Sequence, residues 1–356
     1  MTPNYSDKPL ENKQILLLMP SFYELQNKIK AGLEALGAEV VVCESFIFLQ
    51  DKWVNSNKLD RYLRILKDPF YRQRHTTKIL KEIEPYNIDI LLTVFSYSAS
   101  PELISYLKRE NPNFKSYIYF WDAFSTWNFS YQMDYFDYKY SFDKKDCQNY
   151  SSQNLEYLPL FWTEDQITER HDYKFDVVHI GSLNPKYTTR LSSIVKLYEK
   201  SKELQLEAFI VGIYADRRKL NRSFKKVFHY CVDKEFRKYV RDVQEVAKRY
   251  RSLIKNSPLT LEEVHTIEKQ SRCIVDINMD RAGIAIRVIA ALANGQKVMT
   301  NNPYIKEEVF YKAENIKVID ENNIVIDKDW LFSQTVKVDM DFLRLDNWLK
   351  KILRLV

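Results

Sequence analysis

Glycine is scarce in this sequence, and two glycines precede basic residues at a spacing suited to a diphosphate. The 356 residues include six glycines, and Gly181 and Gly283 stand at a strand end or at a loop-to-helix junction. Lys186 and Arg190 follow the first glycine, and Arg287 follows the second. A missing side chain lets backbone amides approach a ligand, and a following helix N-terminus favours an anion. These residues predict a pyrophosphate site, although glycine also ends strands and helices for structural reasons alone.

Signatures of other chemistries are missing from the sequence. It contains neither GxGxxG nor GxxxxGK[ST], so dinucleotide and P-loop sites have no motif support. The five histidines and four cysteines show no metal-ligand spacing, so we expect no metal site and no cofactor. Asp339, Met340 and Asp341 have the DxD form of a metal-binding motif, but the triplet lacks the expected strand context. We interpret it as coincidence.

Alternating apolar and amphipathic segments predict two successive α/β halves. The first half opens with KQILLLMPSF, an amphipathic segment and AEVVVCESF, the pattern of a strand, a helix and a second strand. The second half repeats this pattern from FDVVHIGSL to LEAFIVGIY. We therefore predict an α/β fold of GT-B-like type, with two Rossmann-like domains whose parallel sheets face each other across a cleft. The predicted bounds are residues 1–165, residues 166–335 and a closing helical segment at 336–356.

Composition and termini favour a soluble cytoplasmic protein. Hydrophobic residues make up 45% and charged residues 29% of the chain, which is ordinary for globular proteins. The polar segment 1–13 lacks the apolar core of a signal peptide, and the longest apolar runs are only strand-sized. Aromatic residues reach 14%. That excess fits carbohydrate-stacking surfaces, but the codon usage of an AT-rich genome would give the same excess and is the favoured explanation.

The net charge of +6 is concentrated in the basic segment, Arg217–Arg251. Nucleic-acid binding would require an accompanying fold module or stacking motif, and none is found, so we expect no nucleic-acid partner. A basic helical face can contact anionic lipid headgroups, which would place the protein on the inner face of the plasma membrane. A solvated helix rich in lysine explains the same pattern.

The segment DINMDRAGIAIRVIAALANGQKVMTNNPYIKEEVFY (276–311) resembles bacterial GT-B glycosyltransferases of the CgeB-like, capsular and lipopolysaccharide biosynthesis group. That group has a loop with Gly, an Arg, a Glu three residues later, a small-residue helix, a Gly, and a strand ending in Thr or Asn. The positions that fit are Gly283, Arg287, Ala291, Gly295, Thr300 and Asn301. Upstream, YFWDAF, YSFDKKD, YLPLFW and DVVHIGSLNPKYTTR also look like this group, so the resemblance covers about 85–330.

The resemblance implies a nucleotide-sugar donor bound mainly by the C-terminal domain. It places Gly181 and Ser182 against the phosphates, with Arg190 and Arg287 neutralising them. Departure of a nucleoside diphosphate builds negative charge, which fixed cations and backbone amides stabilise without a metal. The same motif places three further residues in the donor site: Gly283, Thr300 and Asn301.

One position departs from the family pattern. The Glu that would hydrogen-bond the donor ribose is Ala290 here, and Ala282 stands where some related enzymes have a carboxylate. A methyl group cannot accept a hydrogen bond from a hydroxyl. Three explanations stay open: ribose recognition from elsewhere, a different donor or a degenerate site, and a deliberate Glu-to-Ala replacement.

The N-terminal half supplies the candidates for the acceptor side. Asp122 follows the strand YIYFW at the sheet edge that opens into the predicted cleft, where a carboxylate can take the proton of an acceptor hydroxyl. A loop-capping role for Asp122 is about equally plausible. Ser96 and Tyr97 follow an equivalent strand, and Trp127 can stack on a sugar.

Three other polar residues receive a structural interpretation. Asp143 and Asp146, in SFDKKD, are interpreted as helix caps, although both could be polar members of the same cleft. His179 precedes Gly181 on a predicted strand. It could face the donor, but a satisfied core histidine is the commoner arrangement.

The leading hypothesis is a glycosyltransferase that moves a sugar from a nucleotide-sugar to a glycan or a lipid-linked acceptor in bacterial surface polysaccharide assembly. A second is a nucleotide-sugar epimerase on the same two-domain plan, although the chain shows few carboxylates and histidines for that chemistry. A third is a non-catalytic protein, disabled at Ala290, that binds a glycan or scaffolds a synthase complex.

Overall fold

The computed structural model describes residues 8–20, 24–44, 73–94, 99–125, 130–168, 172–184, 188–214, 234–278 and 282–355. The chain forms two compact units: the first unit comprises Met1–Leu160 with Phe342–Val356, and the second unit comprises Phe161–Asp341. The end of the predicted closing segment therefore belongs to the first unit. Within the described ranges, no helix is long and apolar enough to cross a membrane.

Strands and helices alternate through both units. The strands are β1 Gln14–Met19, β2 Glu39–Glu44, β3 Ile90–Val94, β4 Lys115–Phe120, β5 Tyr138–Ser141, β6 Leu155–Tyr157, β7 Phe175–Ser182, β8 Ala208–Ile213, β9 Ile254–Lys255, β10 Ser271–Asp276, β11 Lys297–Thr300 and β12 Ile316–Val318. The helices are α1 Leu25–Ala35, α2 at 73–83, α3 Pro101–Glu110, α4 Lys144–Asn149, α5 Thr189–Glu203, α6 Lys234–Arg249, α7 Leu261–Lys269, α8 Ile286–Ala293, α9 Lys328–Phe332 and α10 Leu345–Ile352.

The first unit is built on a six-stranded parallel sheet in the order β2-β1-β3-β4-β5-β6. The side chains from Ile15 to Met19 in β1 are all buried, which is typical of a parallel strand covered on both faces. The strand order reverses between β1 and β3. Two helices in 51–84 are predicted from the sequence; of that range the structure describes 73–84, which is helical over 73–83.

The C-terminal helix α10 packs within the first unit. Trp348 is fully buried; its indole Nε1 donates a hydrogen bond to the Pro159 carbonyl oxygen at 2.9 Å, and its ring meets Tyr119 edge-on at 4.8 Å. Gly32 of α1 allows this packing, because a Cβ there would lie 2.7 Å from Cδ1 of Leu349. The end of the chain therefore contributes to the core formed by its beginning.

The second unit is built on another six-stranded parallel sheet, in the order β12-β11-β10-β7-β8-β9. The chain runs from β7 outward to β9 and then returns to place β10 against the other side of β7. Its core includes Ile194 and Leu197 of α5, Val243 of α6 and Cys273 of β10. The predicted α/β class with two parallel sheets is confirmed.

Candidate functional site

The strand order of the second unit reverses between β7 and β10, and the sequence-predicted donor residues gather at this point. Gly181 and Ser182 are the last two residues of β7, and Asp276 ends β10 beside it. Arg190 lies in the first turn of α5, which follows β7, and Arg287 lies in the first turn of α8, which follows β10. Open parallel sheets bind ligands at the carboxyl ends of strands where the order reverses.

Arg190 joins the ends of these two strands. Its Nη1 donates to the Ser182 carbonyl oxygen at 2.9 Å, and its Nη2 donates to the Ile277 carbonyl oxygen at 2.6 Å. The residue is only 8% exposed. A buried guanidinium bound to two backbone carbonyls braces the strand ends and keeps a positive charge beneath them.

Arg287 contacts the same strand, β7, from the helix that follows β10. Its Nη1 donates to the carbonyl oxygen of Ile180, and its Nε lies 3.8 Å from Oδ1 of Asp276. Its side chain keeps 31% of its surface exposed, so this guanidinium remains accessible to a ligand. The two arginines thus bring two positive charges to the last three residues of β7.

Gly181 is required by the packing of His179. A Cβ at position 181 would lie 2.8 Å from Nε2 of His179 and 3.6 Å from Nη1 of Arg190. The imidazole is buried and its Nδ1 is 2.8 Å from the Val275 carbonyl oxygen, so Nδ1 carries the proton. Burial, reinforced by the Arg190 charge, lowers the pKa of His179 to about 3. His179 is therefore neutral, and its Nε2 has no hydrogen-bond partner among the described residues.

Thr300 ends β11, and the two asparagines that follow it contact the segment after β10. The Asn301 amide accepts from the Asn278 backbone nitrogen at 2.5 Å and donates to the Asn278 carbonyl oxygen at 3.2 Å. The hydroxyl of buried Thr300 accepts from the Asn302 backbone nitrogen at 3.1 Å. Asn302, which the sequence motif did not single out, donates to the Gly283 carbonyl oxygen at 3.0 Å. These contacts hold Asn278 and Gly283 against the segment that follows β11.

A pocket lies beside Ala290 in the second unit. Helices α7 and α8 supply most of its lining, which consists of Gln166, His265, Glu268, Lys269, Ile274, Arg287, Ala290, Ala291 and Gln296. Its volume of about 10 Å³ has room for about one water molecule. Burial raises the pKa of Glu268, and the Arg287 guanidinium partly offsets that effect. Glu268 is thus a carboxylate close to the candidate donor site that sequence reasoning missed.

In the first unit, Asp122 lies two residues after the end of β4 and is partly buried. β4 pairs with β3, so Asp122 lies near the carboxyl edge of the sheet, next to the strand that precedes Ser96 and Tyr97. Ser96, Tyr97 and Trp127 themselves lie outside the described residues. The structure therefore locates one of the four predicted acceptor-side residues.

Asp143 and Asp146 differ in their roles. Asp143 caps α4, because its Oδ1 accepts from the Lys145 backbone nitrogen at 2.9 Å, so the cap interpretation is confirmed for it. Asp146 is not a cap: its Oδ2 accepts from the Phe124 backbone nitrogen at 2.7 Å, which ties α4 to the loop containing Asp122. Burial, with a contribution from Asp143, raises the pKa of Asp146 to about 6.

Within the described ranges, no three metal-ligating side chains gather closely enough to hold a metal ion.

Two parallel six-stranded sheets, each in a compact α/β unit, define the GT-B fold class, and solved structures share this fold along the whole chain. A glycosyltransferase from Rickettsia africae ESF-5 is similar with a TM-score of 0.55 and 15% identity, covering 97% of this chain and 98% of that chain. An α,α-trehalose-phosphate synthase (UDP-forming) from Burkholderia vietnamiensis has a TM-score of 0.57, 9% identity and 96% coverage of both chains.

The same fold also occurs in an epimerase. The UDP-GlcNAc 2-epimerase of Methanocaldococcus jannaschii, solved with UDP-GlcNAc and UDP, has a TM-score of 0.50 and 12% identity, covering 97% of this chain and 100% of that chain. No protein-family model matches the sequence, and no curated protein matches it. At these identities the likeness establishes the fold, and the function has to be argued from the site.

Proposed function

We propose that this chain is a glycosyltransferase that moves a sugar from a nucleotide-sugar donor to a hydroxyl-bearing acceptor. The observation that carries the proposal is the convergence of Arg190 and Arg287 on the end of β7, where the strand order of the second unit reverses. Nucleotide phosphates are recognised at such places by cations and by the amino ends of the helices that follow the strands.

The chemistry asked of this site is stabilisation of a leaving diphosphate. Breaking the bond between the sugar and the phosphate transfers negative charge to the diphosphate oxygens, and fixed cations lower the energy of that state. In the proposal Arg287, which keeps part of its surface accessible, contacts the phosphates, while buried Arg190 contributes its field and holds the strand ends. Gly181, Ser182 and Gly283 supply backbone close to the diphosphate. No metal is needed in this scheme.

The first unit supplies the acceptor side in this proposal. Asp122 accepts the proton of the attacking hydroxyl, and Ser96, Tyr97 and Trp127 contact the acceptor. We propose a glycan or lipid-linked acceptor in bacterial surface polysaccharide synthesis, as in the CgeB-like group. The basic segment would then contact the membrane; its described helix α6 exposes Lys234, Lys238, Arg241 and Lys248, which supports a role at an anionic surface.

An epimerase acting on a UDP-sugar is the second candidate, favoured by the fold that the chain shares with the UDP-GlcNAc 2-epimerase. An epimerase converts its sugar without an acceptor, whereas a transferase releases the nucleoside diphosphate as the sugar moves. A third candidate binds the nucleotide-sugar or a glycan without turnover, because Ala290 cannot accept a hydrogen bond. The three candidates differ in product.

The test begins with binding. The melting temperature of the full chain is measured with UDP, GDP, CDP and ADP, since a ligand that binds the folded state raises it. Arg287→Gln should abolish the rise, whereas Arg249→Gln, at an exposed arginine of α6, should leave it unchanged. If none of the four nucleotides raises the melting temperature, the proposal is wrong.

Turnover is then followed with the sugar form of the nucleotide that binds. Release of nucleoside diphosphate that rises with added glycan acceptors supports a transferase, and an acceptor-independent change in the sugar's proton NMR spectrum supports an epimerase. Binding with neither product supports the non-catalytic candidate.

A further inference from the structure

Asp276 is a buried carboxylate whose one ionic partner in the described part of the chain is Arg287. It is the last residue of β10, and its side chain keeps only 11% of its surface exposed. Its Oδ1 lies 3.8 Å from Nε of Arg287, and the described residues donate no hydrogen bond to the carboxylate. A carboxylate removed from water in this way is costly unless an opposite charge lies close to it. Arg287 supplies that charge.

The Arg287 guanidinium is held at two of its nitrogens and open at the third. A guanidinium has five N–H donors, one on Nε and two on each Nη. Nη1 donates one hydrogen bond to the carbonyl oxygen of Ile180, and Nε faces Asp276. Among the described residues nothing accepts from Nη2 or from the second hydrogen of Nη1. Three donors therefore remain for a ligand, enough for a bidentate contact with a phosphate.

A carboxylate beside a phosphate site has two opposed effects on an anionic ligand. Its charge repels the phosphates, which weakens binding. Its attraction for the arginine fixes the plane of the guanidinium, so less side-chain freedom is lost when the ligand binds. Because Asp276 faces Nε and leaves the hydrogens of Nη2 unoccupied, this geometry favours the second effect.

A second carboxylate, Glu268, lies near Arg287 without contacting it. Burial raises the pKa of Glu268 and the Arg287 guanidinium opposes that effect, so each group lies within the electrostatic reach of the other. No salt bridge joins the two side chains in the described structure. Glu268 therefore adds negative charge near the site, whereas Asp276 adds the same charge together with a contact to the guanidinium.

We propose that Asp276 is a positioning residue of the donor site: its carboxylate fixes the Nε side of Arg287, so that both Nη nitrogens are presented to the diphosphate of the nucleotide-sugar. The inference rests on the proposed function. It gives Asp276 a favourable net effect on phosphate binding, which is the opposite of what its charge alone predicts.

The test measures calorimetric affinities of the full chain for UDP. Asp276→Asn keeps the shape of the side chain and removes its charge, and Glu268→Gln does the same at the carboxylate that does not contact Arg287. We expect Asp276→Asn to weaken UDP binding about tenfold, whereas Glu268→Gln should not weaken it. Asp176→Asn, at an aspartate 3.7 Å from Nε of Arg272 near the start of β7, controls for the loss of an ion pair elsewhere and should leave the affinity unchanged.

Arg287→Lys provides a second measurement. A lysine ammonium is a point charge on a flexible stem and has no plane to orient. In the Arg287→Lys background, Asp276→Asn should therefore no longer weaken UDP binding. Asp276→Ser takes the place of Asp276→Asn if the melting temperature without ligand shows that the latter does not fold.

Three results overturn the inference while leaving the proposed function intact. They are a UDP affinity of Asp276→Asn equal to or higher than that of the unmodified chain, an equal loss in Glu268→Gln, and the same loss in the Arg287→Lys background. If UDP does not bind at all, GDP, CDP and ADP are measured in its place. Failure of every nucleotide removes the proposed function and this inference with it.

Discussion

Arg190 and Arg287 donate hydrogen bonds to carbonyl oxygens two residues apart on the same strand, those of Ser182 and Ile180. Alternate carbonyls of a strand point to the same side, so the end of β7 is held by two cations that come from different helices. Arg190 also binds the Ile277 carbonyl oxygen and is almost fully buried, whereas Arg287 keeps about a third of its side chain exposed. Arg287 is therefore the more accessible of the two to a ligand.

The first prediction follows from that difference. Arg190→Met leaves the carbonyl groups of Ser182 and Ile277 without their donor, so we expect a loss of about 2–4 kcal/mol in unfolding free energy. Arg287→Gln should cost less, about 1–2 kcal/mol, because Arg287 donates to one backbone carbonyl where Arg190 donates to two, and about a third of its side chain already lies in solvent. Urea denaturation of both variants measures the two values. Equal losses in the two variants would contradict the assignment.

Gly181 gives the second prediction. Gly181→Ala places a methyl group 2.8 Å from Nε2 of His179, a contact too short to persist, so we expect about 1–3 kcal/mol of destabilisation from overpacking. His179→Ala creates space at the same point. If the clash is the cause, Gly181→Ala should cost clearly less in the His179→Ala background than in the unmodified chain. A cost independent of residue 179 would instead indicate that the backbone requires glycine.

The third prediction concerns position 290. Ala290→Glu puts a second carboxylate into the pocket that already contains Glu268, in competition for Arg287. Like charges in one site raise each other's pKa and destabilise the ionised pair. We therefore expect Ala290→Glu to lower the melting temperature at pH 8 more than at pH 5 and to leave UDP binding unimproved. Combining it with Glu268→Gln should remove most of the pH-dependent loss.

That result would decide among the three explanations for Ala290. If Ala290→Glu alone produced tight UDP binding, a site disabled at position 290 would be the better account. Improvement seen only in the double variant would mean that Glu268 opposes a second carboxylate in this pocket.

Most of the fold can be predicted from the sequence because its central strands are long apolar runs. β1 and β7 show as continuous buried segments followed by amphipathic helices. β6 and β9, of three and two residues, are too short for any periodicity to appear. The return of α10 to the first unit depends on contacts such as that between Trp348 and Pro159, which join positions far apart in the chain.

The candidate site likewise contains residues that the sequence predicts and residues that it does not. Glycine and arginine spacing pointed to Gly181 and Arg287, because strand ends and helix starts are local features. Glu268 had no local signal: it is one of several charged residues on α7, whose only distinctive pattern is the capping box at Thr260. Its position beside Arg287 results from the packing of α7 and α8 against the same sheet. Thr300 and Asn301 match a motif, yet the Asn301 side chain binds the backbone of Asn278 and the Thr300 hydroxyl binds the backbone of Asn302.

The last prediction uses the pKa of Asp146, which burial raises to about 6 from an ordinary value of 3.8. The folded state holds this proton more tightly than the unfolded state, so the resulting stability is fully present below pH 3.8 and is lost as the pH rises through 6. Between pH 5 and pH 8 the unmodified chain should lose about 1 kcal/mol more unfolding free energy than Asp146→Asn. Denaturant titrations at the two pH values measure the difference.

Asn at this position can still accept the hydrogen bond from the Phe124 backbone nitrogen, so the substitution removes the titrating group and keeps the link between α4 and the loop of Asp122. Asp134→Asn, at an exposed aspartate of the same unit, serves as the matched control. If Asp146→Asn changes stability by the same amount at both pH values, the carboxyl group does not titrate in this range. The link between α4 and the Asp122 loop would then be the same at both pH values.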